Sequence, residues 1–157
     1  MSDRARELLE LFYVPEAIYL KDIVKYSREQ QSATGRFVVP LSHSYSHQLI
    51  EYVTAEQHIR CLSQLSYVTI GFLIRDEAPH FAFTDFRTFT QLMVTCQMWF
   101  RRTNLHYLKN VTKGTEFDLT LTLKEVKKLR IFSVCILNIR GVIRGTLEFV
   151  APLNTHG

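Results

Sequence analysis

Side chains able to take part in acid–base chemistry are concentrated in residues 54–64 of this chain. The spacing of residues 54–74 predicts one long helix, polar and titratable in its first turns and apolar on every side toward its end. Glu56 and His58 are its acid and base groups, although His58 could equally be structural or face a partner subunit. Thr54 is either a functional donor or an ordinary N-cap whose capping box is completed by Gln57. The polar end of this helix is therefore the candidate site.

Histidine and cysteine residues add neither a metal site nor a nucleophile to this stretch. His43 and His47 precede the helix, but no third ligand accompanies them at a spacing typical of zinc sites. Cys61 has no accompanying base and is predicted to be a small core residue. The three cysteines lie far apart in no paired spacing, which favours a reducing, cytoplasmic location over a disulfide framework.

Positive charge is concentrated in the last third of the chain. Residues 1–100 contain 9 Lys and Arg against 11 Asp and Glu, whereas residues 101–157 contain 10 against 4. Unless these are solvated charges at strand ends and turns, the excess favours a nucleic acid, a phosphate-bearing molecule such as coenzyme A, or an acidic carrier protein. The sequence has no glycine-rich or aromatic–basic motif, which argues against a nucleic acid.

Length and composition indicate one globular domain. A chain of 157 residues with 46% hydrophobic residues is long enough to enclose a core. The longest apolar run, residues 65–74, is far shorter than the roughly 20 residues that cross a membrane. Residues 1–10 are charged and lack an apolar segment, so a secretory signal is not expected.

The remaining pattern predicts a short helix and six strands. The helix is expected over 3–12, the strands over 18–26, 37–39, 90–100, 116–123, 131–139 and 142–151, with a polar turn at 30–35 and a basic turn at 124–129. The last four strands are expected to form an antiparallel meander. A helix that is apolar on every side must be enclosed by protein, and one curved sheet can do this. The order predicts the α+β hot-dog fold, one curved antiparallel sheet wrapped around the helix at 54–74.

Several segments resemble the FcoT-like long-chain acyl thioesterases, a hot-dog family. The resemblance rests on Val53-Thr54-Ala55 and on the run from Cys61 to Tyr67. It extends through residues 98–102 to Phe117, and back to Tyr13 and Tyr19-Leu20. It implies a homodimer with active sites at the subunit interface. It also implies a substrate thioester carried by coenzyme A or by the phosphopantetheine of an acyl carrier protein, and no separate cofactor.

The resemblance places the catalytic positions on the long helix and on two tyrosines before it: Tyr13, Tyr45, Thr54, Gln57, Ser63 and Gln64. Tyr45 matches only if a one-residue insertion is allowed. Thr54 and Ser63 replace two asparagines of the family, its helix glutamate falls at Gln57, and the acid of related dehydratases falls at Arg60. A hydroxyl can replace an amide as a donor, whereas an arginine cannot replace a carboxylate base.

The implied activity is hydrolysis of fatty acyl thioesters, and two alternatives stay open. One is addition or elimination at an enoyl or hydroxyacyl thioester, such as the addition of glycine in lipopeptide biosynthesis. The other is a non-catalytic acyl-binding accessory protein, in which Ser63 and Gln64 are buried polar residues that satisfy the helix.

The resemblance also indicates where the acyl chain and its carrier would bind. The phenylalanines of residues 81–89 could line an acyl tunnel, or they could simply pack under a long loop. Cationic side chains near the turn at 111–115 are expected to contact the phosphates of the nucleotide or phosphopantetheine: Arg101, Arg102, Lys109 and Lys113.

Overall fold

A computed structural model describes residues 3–43 and 47–153, which form three α-helices and one six-stranded sheet. The helices are α1 (Asp3–Glu10), α2 (Ala55–Arg75) and α3 (Phe86–Val94), with single 3-10 turns at Pro15–Ala17 and Pro79–Phe81. The strands are β1 (Leu20–Ser27), β2 (Ser32–Phe37), β3 (Trp99–Tyr107), β4 (Phe117–Lys128), β5 (Phe132–Gly141) and β6 (Ile143–Pro152). No helix within the described ranges is long and apolar enough to cross a membrane.

Helix α2 is the centre of the molecule, and its predicted position is confirmed. Its inner face packs on the sheet, where Leu62, Leu65 and Thr69 are fully buried. On another face, α1 and α3 approach Gly71 so closely that an added Cβ would lie 2.8 Å from Leu8 Cδ2 and 3.0 Å from Phe89 Cε1. The apolar part of α2 is therefore enclosed by the sheet on one side and by two short helices on another.

The sheet is antiparallel throughout, in the order β1-β2-β4-β5-β6-β3. The predicted meander is correct for β4, β5 and β6 but wrong for β3, which lies at the edge beside β6. The connection between β3 and β4 does not form a hairpin because it binds to the segment before α2. Val53 N donates to Val111 O at 2.7 Å, and Lys113 N donates to Glu51 O at 2.8 Å. These bonds hold the 111–114 turn against the polar end of α2.

The strand predicted at 90–100 is wrong, because its first half is helix α3. Asp85 caps this helix by accepting from Thr88 N at 2.7 Å. Phe89, Leu92 and Met93 are its buried residues, at the spacing of one helical face. The apparent alternation crossed the boundary between α3 and β3, where Cys96 turns the chain with φ of 56°.

Two predicted turns are also wrong. Strand β2 begins at Ser32, inside the predicted turn at 30–35, because Ala33 and Phe37 alternate inward on either side of Gly35. Strand β4 continues through the predicted basic turn at 124–129, and its register shifts between Leu123 and Glu125. The shift breaks the alternation of apolar residues, so the sequence pattern ends five residues before the strand does.

Candidate functional site

The first turn of α2 is closed by the capping box predicted from its sequence. Thr54 Oγ1 accepts from Gln57 N at 3.4 Å, and Gln57 Oε1 accepts from Thr54 N at 3.0 Å. Gln57 is 1% exposed, and its Nε2 donates to His43 O at 2.9 Å. Both polar atoms of the Gln57 side chain are thus engaged in holding the helix and the preceding loop together.

His43 lies between that cap and a buried tyrosine. Its carbonyl also accepts from Lys113 Nζ at 2.6 Å, and its ring Nδ1 lies 3.1 Å from Tyr19 Oη. Arg60 Nη1 donates to the same Tyr19 hydroxyl at 3.1 Å. Because a guanidinium can only donate, the Tyr19 hydroxyl accepts there and has its own proton available for His43 Nδ1. One hydrogen-bonded network therefore joins Gln57, Lys113, His43, Tyr19 and Arg60.

Metal binding finds no support in this network. Among residues 3–43 and 47–153, no group of three or more His, Cys, Asp or Glu side chains is arranged to hold a metal ion. Cys61 is fully buried, and burial raises the pKa of its thiol, which therefore stays protonated. The thiol packs in the core, where it cannot act as a thiolate nucleophile.

Two of the predicted catalytic residues meet on the outer side of α2. Tyr13 Oη, from the segment after α1, lies 2.9 Å from Ser63 Oγ. Burial raises the pKa of Tyr13, so its hydroxyl is a proton donor at neutral pH. The ring of Tyr67, one turn further along α2, is 6.3 Å from the Tyr13 ring. Both Tyr13 and Ser63 are half-buried, so this pair of hydroxyls is not sealed in the core.

Gln64, another predicted catalytic residue, is bonded to the backbone on the same part of α2. Its Oε1 accepts from Tyr19 N at 3.0 Å and from Leu20 N at 3.1 Å. Its Nε2 donates to Ala17 O at 2.7 Å, and the side chain is fully buried. In this arrangement Gln64 anchors the start of β1 to α2. The remaining predicted residue, Tyr45, lies outside the described residues.

The four predicted phosphate-binding cations are not brought together. Arg101 and Arg102 lie at the start of β3, roughly 20 Å from Lys109 beyond its other end, at about 3.3 Å per residue. Arg101 pairs with Glu148 at 3.4 Å, and Arg102 is exposed. Lys113 is 5% exposed. Lys109 lines an open groove of about 400 Å³ between the end of β3 and the start of β4.

The predicted acyl tunnel corresponds to a narrow apolar cavity between α3 and the sheet. Its volume is about 20 Å³, enough for one water molecule, and its walls include Phe81, Phe83 and Phe89. The Tyr67 ring lies 6.5 Å from Phe89 and 6.3 Å from Tyr13. Tyr67 therefore separates this cavity from the Tyr13–Ser63 pair.

The sequence alone predicts no functional role for Tyr19, His43 or Arg60. Tyr19 lies within the resemblance, and Arg60 follows Glu56 by one helical turn, a spacing that places both on one face of α2. In the structure, Arg60 Nη2 lies 3.7 Å from Glu56 Oε1. The contact of both His43 and Arg60 with Tyr19 depends on tertiary packing, which the local pattern does not encode.

The sheet order and the central helix define the hot-dog fold. Three solved structures share the architecture: the dehydratase heterocomplex ApeI:P from Xenorhabdus doucetiae, an HP0420 homologue from Helicobacter felis, and AziG from S. sahachiroi. Their TM-scores are 0.59, 0.56 and 0.50, and their sequence identities are 14%, 10% and 9%. The similarity to ApeI:P covers 94% of this chain and 92% of that chain. For the HP0420 homologue the two shares are 96% and 92%, and for AziG they are 84% and 90%.

No protein-family model matches the chain, and no curated protein matches it in sequence. At identities of 9–14% the structural likeness shows the fold alone. Membership of the FcoT-like family in particular stays a prediction.

Proposed function

We propose that this protein processes acyl thioesters, and that it is a thioesterase acting on fatty acyl-CoA or acyl carrier protein thioesters. The observation that carries the proposal is the contact between the hydroxyls of Tyr13 and Ser63, 2.9 Å apart on the polar half of the central helix. One hydroxyl donates to the other in this contact, and when a carbonyl oxygen replaces that bond both hydroxyls can donate to it. Such donors stabilise the negative charge that develops on that oxygen when a nucleophile attacks.

The chemistry follows from the protonation states of the pair. The raised pKa of Tyr13 keeps its proton on the phenol, so the hydroxyl donates to the thioester oxygen. Water then attacks the carbonyl carbon, the C–S bond breaks, and a carboxylic acid and a free thiol leave. Arg60 adds positive charge near Tyr13 and supports the same developing oxyanion.

The carrier would bind through its phosphates and pantetheine arm, which belong to the substrate. Lys109 lines the groove beside β3 and β4, and Arg102 is an exposed cation on the β3 edge. Lys113 supports the adjoining loop through His43 O. We assign Lys109 to phosphate contact and Lys113 to holding the loop in place, whereas Arg102 lies too far along β3 to reach the same phosphates. The free thiols of Cys61, Cys96 and Cys135 fit the proposed cytoplasmic location.

A homodimer formed through the β3 edge completes the proposal. The sheet has two edges, β1 and β3. Both edges have features that hinder pairing, since β1 has two register irregularities and exposed lysines, and β3 has one irregularity and exposed arginines. What favours β3 is its exposed Trp99 (45%) and Tyr107 (46%), followed by Leu108 (52%). Aromatic and aliphatic side chains of this kind are enriched at protein interfaces.

Two specific observations support the alternative functions. The likeness to a dehydratase heterocomplex favours addition or elimination at an enoyl or hydroxyacyl thioester, although Arg60 occupies the position of the dehydratase acid. The complete bonding of Gln57 and Gln64 to other parts of the chain favours a non-catalytic acyl-binding role. The Tyr13–Ser63 pair could serve either reaction, and hydrolysis is preferred because an arginine at position 60 cannot act as the dehydratase acid.

Mass spectrometry of the products decides among these functions. The purified protein is incubated with acyl-CoA and with carrier protein loaded with saturated, enoyl and 3-hydroxyacyl chains, each with and without glycine. Hydrolysis produces the free acid and unloaded carrier. Loss of water, gain of glycine on the carrier, or no change in mass would each contradict the thioesterase assignment.

A further inference from the structure

His58 is the side chain in the polar half of α2 whose bonding is incomplete. It is 3% exposed, and its Nδ1 lies 2.9 Å from Thr54 O. A carbonyl oxygen can only accept, so Nδ1 carries the ring proton and Nε2 presents a lone pair. Within the described part of the chain, Nε2 has no hydrogen-bond partner although it is buried. Buried polar atoms in folded proteins are nearly always paired, so this atom points to a group that is not in the chain itself.

The surroundings of His58 keep the imidazole neutral. Its ring packs against Tyr107 of β3, with centroids 5.5 Å apart, and against Phe117 of β4, at 5.6 Å. Burial lowers the pKa of His58, opposed only by its bond to the Thr54 carbonyl. No charged group of α2, β3 or β4 contributes to that shift in the part of the chain that the structure describes. The ring is therefore a base in its unprotonated form at neutral pH.

A bound molecule has a route to this ring. Phe117, which packs on His58, also lines the open groove of about 400 Å³ that contains Lys109. Tyr107, the other ring neighbour, is 46% exposed and directly precedes Leu108, which lines the same groove. Both ring neighbours of His58 therefore lie at or beside this groove, which places the groove next to the ring.

We propose that His58 is the general base of the thioester reaction, with Nε2 taking a proton from the attacking water. This inference rests on the proposed function. As the water oxygen bonds to the carbonyl carbon, one water proton moves to Nε2. The tetrahedral intermediate then re-forms the C=O bond and breaks the C–S bond, and the proton passes from Nε2 to the departing thiolate. Thr54, through its carbonyl, is a positioning residue that fixes the tautomer.

The helical geometry separates His58 from the Tyr13–Ser63 pair within one chain, so the proposal joins His58 of one subunit with that pair of the other. Ser63 is five residues after His58, about 140° around the helix and about 7.5 Å along it. One chain therefore presents the base and the hydroxyl pair on different faces of α2. In the proposed homodimer, a thioester held by the Tyr13–Ser63 pair of one copy meets His58 of the second copy.

Nitrogen NMR of the wild-type protein tests the base directly. In protein labelled with ¹⁵N-histidine, the Nε2 signal of His58 should be that of an unprotonated nitrogen at pH 7. It should shift when a non-hydrolysable S-alkyl thioether of coenzyme A binds, because the bound analogue brings a donor or an ordered water to Nε2. If the analogue binds, as measured by isothermal titration calorimetry, and the Nε2 signal does not move, this inference is overturned while the proposed function stands. Absence of both binding and turnover overturns both.

Kinetics provide the second test, with a matched control. His58→Gln should lower kcat by about 100-fold with little change in KM, the size of effect expected for loss of a general base. The wild-type kcat/KM should fall as the pH decreases through the pKa of His58. In the variant, kcat/KM should not show this decrease. His80→Gln, an exposed histidine at the other end of α2, should behave as wild type. An unchanged pH profile in folded His58→Gln overturns the assignment.

Mixing two variants tests the assignment to different subunits. Equal amounts of His58→Gln and Ser63→Ala, dissociated and reassociated, should recover about a quarter of wild-type activity, because half of the dimers gain one intact site. No recovery, with each variant confirmed as dimeric, would contradict the placement of His58 in the second copy's site.

Discussion

Tyr13 and Ser63 are separated by 50 positions in the chain, yet their hydroxyl oxygens lie 2.9 Å apart. The sequence predicts both as site residues through a family resemblance, and the helical pattern predicts that Ser63 is on α2. Their pairing could not be predicted, because it depends on how the segment after α1 packs over α2. His58 shows the same limit: its position on α2 was predictable, but the unpaired nitrogen is a property of tertiary packing.

Replacement of Tyr13 by phenylalanine tests the role of this pair. The variant keeps the ring and removes one donor, so turnover of an acyl thioester should fall by about 100-fold. The free energy of unfolding should fall by only about 1 kcal/mol, the usual contribution of one hydrogen bond. Steady-state kinetics and chemical denaturation measure the two effects separately.

Tyr26 provides the control for that substitution. Its hydroxyl donates to Asp76 at 2.8 Å, near the opposite end of α2. Tyr26→Phe should destabilise the protein at least as much as Tyr13→Phe and leave turnover unchanged. Equal loss of turnover in both variants would mean that Tyr13 acts only through stability.

The stability of the protein should depend on pH through His58. Burial lowers the pKa of His58 from the ordinary value of 6.5, so below that pH the unfolded chain binds more protons than the folded one. The contribution to stability is complete above about pH 6.5 and declines as the pH falls toward the folded-state pKa. Denaturation between pH 5 and 7 should show a steeper loss for wild type than for His58→Gln. Parallel curves would contradict the lowered pKa.

The sequence predicts helices and strands correctly where one periodic pattern extends over the whole segment. Helix α2 has an N-terminal capping box and a long apolar run, and its position is confirmed. The run at 90–100 predicts a strand because its alternation continues across the last five residues of α3, the turn after it and the first two residues of β3. The capping signal of Asp85 was present in the sequence, and it was the stronger indication.

Gln64 joins α2 to the start of β1, and its replacement should measure how much this connection stabilises the fold. Gln64→Ala leaves the buried N–H groups of Tyr19 and Leu20 and the carbonyl of Ala17 without their partner. The free energy of unfolding should fall by about 3 kcal/mol or more, because each unsatisfied buried group costs about 1–3 kcal/mol. Gln91→Ala, an exposed glutamine on α3, should change it by less than about 0.5 kcal/mol. If chemical denaturation gives the same loss of unfolding free energy for Gln64→Ala and Gln91→Ala, the anchoring role of Gln64 is contradicted.

The molecule as a whole has two sheet edges, β1 and β3, and β3 is the one that exposes large aromatic side chains at both of its ends. The sequence predicts the homodimer only through the family resemblance, since the exposure of an edge depends on strand order. The sheet order places Trp99 and Tyr107 on an outer strand, whereas the sequence prediction ended this strand at residue 100 and did not include Tyr107. The exposure of these aromatic residues could therefore not be predicted from the sequence.

Sedimentation equilibrium tests whether β3 joins two copies. The wild-type protein should have twice the chain mass of 18.4 kDa. Tyr107→Lys should shift the population to monomer, because it places a charge in the interface. Val24→Lys, on β1 with a similar exposure of 47%, should stay dimeric. A monomeric wild-type protein, or dissociation caused equally by both variants, would contradict the proposed interface.

Release of free thiol from acyl thioesters tests the central claim most directly. The wild-type protein is assayed against a panel of acyl-CoA and acyl carrier protein thioesters of increasing chain length, in parallel with the Tyr13→Phe/Ser63→Ala double variant. The wild type should release thiol from at least one member of the panel, and the folded double variant should release it at least about 100-fold more slowly. No release by the wild type on any thioester, or equal release by both proteins, would contradict a hydrolytic site at the polar end of the central helix.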